Sequence, residues 1–378
     1  MMKVLLINNQ FSIGGAARVA TTQCNELKRF GVDLHVVTDN INWSIDYDLD
    51  KNIPLHSISV NPKASSKLQK ILKAVKCIRD IRKYIKEIRP DIIVAIQSDM
   101  YLRTLLAKIN IQIPLIVADH TSFSRKQDKV TNYTRYNLYK YADGISILTH
   151  KDEKLLGTKY PQKRVIYNPL TFGVFEGCSM RRKNILCVGR LDVWQIKGFD
   201  IILNIWANIE KEHPDWQLEI AGSGEQTSKD ELESQISKLG IESRVTLLGQ
   251  VNDMQKLYRT SSIFALSSRM EGFPMALLEA MSQGCACVAF EIGGSTREML
   301  NEECGIIVSD GDNASFQNSL NKLIDKATIM ENVGKKAIVK SQEFTKETFA
   351  KNWMVYMNDV IKKYNDKNKK RTKGMDFC

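Results

Sequence analysis

Short apolar runs alternate along the 378-residue chain with longer stretches whose apolar positions recur every three or four residues. The runs at 4–7, 34–38, 92–96, 115–118, 144–148 and 165–167 read as buried strands, each followed by a helical pattern. From Asn168-Pro169 to about residue 183 the pattern lapses into an irregular stretch holding Gly173, Gly177 and the basic Arg181-Arg182-Lys183. It then restarts, with strands expected at 185–188, 218–221, 245–248, 263–266, 285–290 and 306–308. Regular βα alternation predicts parallel sheets covered by helices, and the length exceeds what one ordinary core supports. The expectation is an α/β protein with two Rossmann-like, doubly wound domains. These are placed at 1–168 and 185–345, with a linker at 169–184. A last helix at 346–365 carries Phe349, Trp353, Val355, Tyr356, Val360 and Ile361, and a basic tail at 366–378 follows.

Charge adds one feature. The chain carries a net +11, much of it between residues 63 and 89. There, Lys63, Lys67, Lys70, Lys73, Lys76, Arg79, Arg82, Lys83, Lys86 and Arg89 face only Asp80 and Glu87. Leu68, Ile71, Leu72, Val75, Ile78, Ile81, Ile85 and Ile88 recur through it at helical spacing. A cationic amphipathic helix of this kind suits an anionic membrane surface, each basic residue contributing about 1 kcal/mol. The apolar stripe is expected to pack on the sheet, leaving charge to do the attracting. For nucleic acid the run lacks interleaved aromatics, Tyr84 standing alone, so no nucleic-acid partner is expected. No apolar run reaches the roughly 20 residues that cross a bilayer, and the N-terminal Met-Met-Lys-Val-Leu-Leu-Ile-Asn-Asn reads as a first strand rather than a leader. The eight cysteines form no C-x-x-C pair, and Cys187, Cys285 and Cys287 fall in apolar runs. Reduced thiols, no zinc and a cytoplasmic location are the expectation.

The densest chemistry lies at Glu271-Gly-Phe-Pro-Met-Ala-Leu-Leu-Glu279. Pro274 suits the first helical position and Gly284 a left-handed cap. Glu271 then precedes a helix and Glu279 stands about two turns inside it. Free N–H groups and the dipole of the first turn favour an anion, while the carboxylates suit hydroxyls: a ligand with phosphate at one end and sugar at the other. The segment resembles the E-x7-E signature of family 4 retaining glycosyltransferases with the GT-B architecture.

Other residues extend the resemblance. Gly189-Arg190-Leu-Asp-Val-Trp-Gln-Ile-Lys197-Gly198 follows a strand and is similar to the family's diphosphate-gripping V-G-R-L…K-G motif. Fixed cations there stabilise charge on a leaving nucleoside diphosphate. Ala-Gly222-Ser-Gly224 follows another strand, where backbone must approach a ligand or turn tightly. Thr227 occupies the third position of a G-x-G-x-x-G, so the segment is no dinucleotide fingerprint and hydride-transfer chemistry loses its best support. Gly14-Gly15-Ala16 opens the first helix. Where the family usually continues with Glu, this chain has Ala17 and Arg18. His120, after Asp119 at a strand end, resembles the family's histidine that contacts the transferred sugar.

The resemblance implies these roles: Glu279 on the ribose hydroxyls, Glu271 on the sugar with backbone amides at Phe273 and Met275, and Arg190 and Lys197 on the diphosphate. Gly14, Gly15, Gly222 and Gly224 would line the substrate, and Asp119 would orient His120 or meet the acceptor. It further implies a last helix crossing back to the first, acceptor-side domain. The activity implied is metal-independent transfer, without cofactor, from a nucleotide sugar (UDP-hexose or UDP-N-acetylhexosamine) to a saccharide acceptor linked to polyprenyl diphosphate. Surface polysaccharide synthesis at the inner membrane face is the implied setting. Alternatives are a sugar-nucleotide epimerase or phosphorylase on the same plan, and a nucleic-acid binder. A metal-dependent transferase would need an Asp-x-Asp, for which Asp46-Tyr-Asp48, Asp48-Leu-Asp50 and Asp310-Gly-Asp312 are the available pairs.

Overall fold

The computed structural model describes residues 1–12, 15–39, 44–45, 47–60, 66–123, 127–160, 162–177 and 180–375, without the side chains of 67 and 371–375. Gly14, Asp46, Lys63, Cys178 and Cys378 lie outside the described residues. The chain divides into two compact units, Met1–Pro169 with Lys346–Cys378, and Leu170–Thr345.

The first unit runs β1 (Lys3–Ile7), α1 (Gly15–Arg29), β2 (Asp33–Thr38), β3 (Leu55–Ser57), α2 (Lys67–Ile88), β4 (Ile92–Ile96), α3 (Gln97–Ala107), β5 (Leu115–Ala118), α4 (Lys129–Tyr133), β6 (Gly144–Ile147), α5 (His150–Leu156) and β7 (Lys163–Val165). Its sheet has the order β3-β2-β1-β4-β5-β6-β7, every neighbouring pair parallel. β4, β5 and β6 are buried along their whole length, as parallel strands covered on both faces must be. The short edge strand β3 was not anticipated, because its Leu-His-Ser has no apolar run to announce it. β7 lies two residues earlier than expected.

The second unit follows as β8 (Arg182–Val188), α6 (Phe199–Ile209), β9 (Gln217–Ala221), α7 (Gln226–Leu239), β10 (Val245–Gly249), α8 (Met254–Thr260), β11 (Ser261–Leu266), α9 (Met275–Ser282), β12 (Ala286–Phe290), α10 (Ser295–Met299), β13 (Ile306–Val308), α11 (Asn313–Asp325) and α12 (Ala327–Ser341). The strand order is β10-β9-β8-β11-β12-β13, again parallel throughout. Order reverses between β1 and β4 in the first sheet and between β8 and β11 in the second. At such a switch point the loops beyond the strand ends diverge and leave a crevice for ligands.

Three expectations need correction. The stretch at 169–184 is not a free linker: Leu170–Thr345 is one unit, and β8 takes in Arg182 and Lys183, with Arg182 paired to buried Glu219. The final helix α13 (Lys346–Met375) runs through most of the expected tail. It belongs to the first unit, where it buries Phe349, Trp353, Tyr356, Met357 and Val360. There Arg164 donates to Asp359 at 2.8 Å.

α2 is the third. It starts at Ser66, whose hydroxyl accepts from the Gln69 N–H as an N-cap. Its second half buries Cys77, Ile81, Ile85 and Ile88, but Leu68, Ile71, Leu72 and Val75 are 66%, 60%, 60% and 40% exposed. The stripe therefore continues past the part of the helix that the core covers. Helical periodicity is the same on a covered and an uncovered turn, so the pattern could not reveal this.

Candidate active site

Two loops meet at the switch point of the second unit, and their contacts fix the geometry. After β8, residues 189–198 run through a short 3-10 turn (Leu191–Val193) to Gly198, the left-handed residue that starts α6 at φ +66°. After β11, residues 267–274 lead to α9. Ser267 donates from Oγ to the Gly198 carbonyl at 2.9 Å, and the Arg269 N–H donates to the Ile196 carbonyl at 2.8 Å. Arg269 also grips Asp200 through two bonds of 2.7 and 2.6 Å. A Cβ at Gly198 would lie 1.9 Å from the Ser267 carbonyl oxygen, so only glycine lets these loops approach so closely.

This contact brings together two of the expected residues. Lys197 Nζ donates to Glu271 Oε1 at 2.7 Å, and Ser268 Oγ donates to the same oxygen at 2.8 Å. Arg190 stands exposed on the β8 loop, its guanidinium making no hydrogen bond or ion pair among the described residues. The loop thus presents one free cation and one cation shared with a carboxylate. An incoming phosphate can recruit both, since an ammonium can donate three hydrogen bonds.

Gly222 and Gly224 have a structural reason beside any role toward ligand. The Gly189 N–H donates to Ala221 O and the Leu191 N–H to Ser223 O, both within 3.0 Å. A Cβ at Gly222 would sit 1.8 Å from the Gly189 carbonyl oxygen, and one at Gly224 would press on Leu191 and Asp192. Asp192 accepts from the Glu225 N–H at 2.7 Å, completing the junction. The glycines therefore hold the Arg190 loop in place.

Glu279 stands one turn inside α9, nearer the helix start than the expected two turns, with Pro274 at the N-cap and Gly284 left-handed at φ +79°. It is buried, accepting from Thr171 Oγ1 at 2.7 Å on one oxygen and Tyr258 OH at 3.0 Å on the other. Phe273 is buried against Phe344. At the start of α9 the N–H groups of Met275 and Ala276 have no intrahelical acceptor, as in any helical first turn. Thr171, Tyr258, Ser268 and Arg269 were missed in the sequence. Only Ser267-Ser268, hydroxyls at a strand end three residues before Glu271, offered a signal.

The first unit holds the rest. Gly15 begins α1 with open space around it. Asp119 follows β5 and is buried, and its role needs revision. Its carboxylate accepts from Arg135 Nε at 2.8 Å and Nη2 at 2.6 Å, Tyr139 OH at 2.8 Å and the Thr121 N–H at 3.0 Å. Four donors fill four lone-pair positions, so no acceptor site remains for a ligand. Asp119 anchors the loop that carries His120.

His120 itself has both ring nitrogens buried without a hydrogen-bond partner. Burial pushes its pKa below 6.5, against the pull of Asp119 and of the neighbouring Asn168 amide. Gln97 holds a left-handed backbone, φ +66°, where β4 turns into α3 at this sheet's switch point. Elsewhere, Asp312 caps α11 by accepting from the Ser315 N–H, and Asp50 accepts from the Asn52 N–H. No group of three or more potential metal-ligating side chains occurs among the described residues. Cys24, Cys77, Cys187, Cys285, Cys287 and Cys304 are buried free thiols, with burial pushing Cys77 and Cys285 up to about 11.

Comparison with known proteins agrees with this architecture. The family model described as Glycosyltransferase Family 4 matches residues 13–171, and that described as Glycosyl transferases group 1 matches 182–326; together they span more than half of the chain. The chain belongs to the family 4, group 1 glycosyltransferases. It is 27% identical over 370 residues to the amylovoran biosynthesis glycosyltransferase AmsD of Erwinia amylovora, covering 95% of this chain and 99% of that one. It is 23% identical over 365 residues to an α-1,4-N-acetyl-D-galactosaminyltransferase of Campylobacter jejuni named for an undecaprenol-diphosphate-linked acceptor, with 95% and 99% coverage. Anabaena Alr3699/HepE, solved with UDP and glucose, superimposes with a TM-score of 0.76 at 19% identity, covering 95% of this chain and all of that one. The two doubly wound units with a returning C-terminal helix are the GT-B plan.

Proposed function

We propose that this glycosyltransferase moves a hexose or N-acetylhexosamine, with retention at the anomeric carbon and without metal, from a UDP-linked donor to a lipid-linked saccharide acceptor in surface polysaccharide synthesis. The observation that carries the proposal is the pairing of the 189–198 and 267–274 loops at the switch point, with Arg190, Lys197 and Glu271 on facing segments. Arg190 and Lys197 neutralise the diphosphate, the first turn of α9 gives amides to phosphate or sugar, Glu271 meets sugar hydroxyls and Glu279 the ribose. His120, whose pKa burial lowers, offers the sugar a buried ring nitrogen. Gly15 is assigned a backbone contact with the donor. The acceptor hydroxyl oxygen bonds to the anomeric carbon on the face the leaving group vacates as the bond to phosphate breaks. A phosphate oxygen takes the hydroxyl proton and UDP departs.

For the setting, α2 supplies support. Leu68, Ile71, Leu72 and Val75 form an exposed i, i+3, i+4, i+7 row beside Lys70, Lys76 and Arg79. That combination matches an anionic bilayer surface, with apolar contact added to charge attraction. No helix among the described residues is long and apolar enough to cross a membrane, so docking at the surface is the mode proposed. The Campylobacter relative's undecaprenol-linked acceptor and the UDP in the Anabaena structure favour the same acceptor and donor classes. The test is sugar transfer from UDP-linked donors to a polyprenyl-diphosphate saccharide in EDTA, with product configuration read by NMR. A product with retained configuration, formed without metal, supports the proposal. An inverted product, or activity that EDTA abolishes, overturns it.

A further inference from the structure

His120 and Asn168 form a second feature that the roles above leave unexplained. His120 lies two residues beyond β5 and Asn168 three beyond β7, on either side of β6. The strand ends that carry them are tied to β6: the Asp119 N–H donates to Ser146 O at 2.9 Å, and the Ile166 N–H to Ile147 O at 2.9 Å. Both ring nitrogens of His120 and the amide oxygen of Asn168 are buried with no hydrogen bond. Buried polar atoms are rarely left so, because each forfeits its hydration without return. Here three of them lie beyond the carboxyl ends of β5 and β7, the two strands that flank β6, at the end of the sheet where α/β proteins bind ligands.

Both backbones are held in place. Asp119 is locked by its four donors, and Pro169 restricts Asn168 to extended conformations. Of the Asn168 amide it is the oxygen, an acceptor, that is buried without a partner, and the amide works against the burial that lowers the His120 pKa. Imidazole has one donor and one acceptor when neutral, and the partner of one nitrogen decides which role is left to the other. We propose that Asn168 is a positioning residue that sets the tautomer of His120, accepting from one ring N–H and leaving the second nitrogen to accept from a hydroxyl of the bound ligand. Asp119, adjacent in sequence, cannot do this, since its lone pairs are filled. The ligand's identity as a sugar rests on the transferase proposal; the pairing does not.

The experiment uses the whole protein without ligand, labelled with ¹⁵N-histidine, the His120 resonances assigned by H120Q. Ring nitrogen shifts followed from pH 8 to pH 5 give the tautomer and pKa. Wild type is expected to show one dominant tautomer titrating below 6.5. In N168A the tautomers mix and the titration moves to still lower pH; in N168D, where a carboxylate replaces the amide, it moves up. His35, His56, His150 and His213 report whether the fold is intact, and if N168A disturbs them the near-isosteric N168D supplies the reading. Unchanged His120 tautomer and pKa in a folded variant overturn the proposal. Expected shifts in a protein that transfers no sugar would sink only the transferase proposal.

Discussion

Replacing Gly198 by alanine tests how the two loops are joined, and Gly240 provides a matched control. Both glycines have left-handed backbones, φ +66° at Gly198 and +68° at Gly240. An alanine in either conformation costs about 1–2 kcal/mol. They differ in surroundings: a Cβ at Gly240 meets nothing within 4 Å, whereas one at Gly198 lies 1.9 Å from the Ser267 carbonyl oxygen. Real Cβ contacts do not fall below 3.0 Å, so one loop must retreat by about 1 Å. Overpacking of this kind costs about 1–3 kcal/mol beyond the backbone term. G198A should therefore melt roughly 5 °C below G240A, taking about 2–4 °C per kcal/mol for a unit of this size. The retreat also strains the Ser267–Gly198 bond and moves Glu271 relative to Lys197, so UDP binding by calorimetry should weaken in G198A and hold in G240A. Equal melting temperatures and equal UDP affinities would refute the proposed coupling between loop packing and the site.

Further expectations concern single groups. K197A should lower affinity for UDP at least tenfold while leaving uridine binding unchanged, since a charge-assisted bond contributes about 1.5–3 kcal/mol; calorimetry with both ligands decides. E279Q should weaken uridine and UDP alike by a similar factor, because the buried carboxylate is assigned to the ribose. I71D combined with L72D should abolish sedimentation with anionic vesicles while leaving the melting temperature nearly unchanged, as both side chains are 60% exposed; a variant that still sediments would refute the docking surface. His120, buried with its pKa below 6.5, binds its proton more weakly in the folded than in the unfolded state. Its contribution is fully present above pH 6.5 and lost as pH falls from there toward the folded value. The denaturant midpoint of H120N should accordingly depend less on pH between 6.5 and 5 than that of wild type.

The strands were legible in sequence because parallel strands buried on both faces must be continuously apolar. β4 and β5 fall at the expected residues. β3 escaped because a three-residue edge strand needs no such run. Glu271, Glu279, Arg190 and Lys197 were legible through spacing from strand ends, but their environments were not. Thr171 and Glu279 are 108 positions apart, and Arg135 and Asp119 are 16 apart across a turn of helix. Nothing local marks such partners. Asp119 shows the consequence: an acidic residue beside a candidate histidine suggests ligand contact, and only the folded chain reveals that Arg135 and Tyr139 saturate it. The exposed turns of α2 teach the same lesson about apolar residues, since a periodic stripe does not say where its cover ends.

The central claim is that a nucleoside diphosphate binds at the switch point between β8 and β11. Hydrogen–deuterium exchange with and without saturating UDP, repeated with GDP and ADP, addresses it most directly. One nucleotide should slow exchange in the peptides spanning 189–199, 222–226 and 267–279, with little change around β10 or β13. Protection confined to other segments, or none with any nucleoside diphosphate at millimolar concentration, would contradict it.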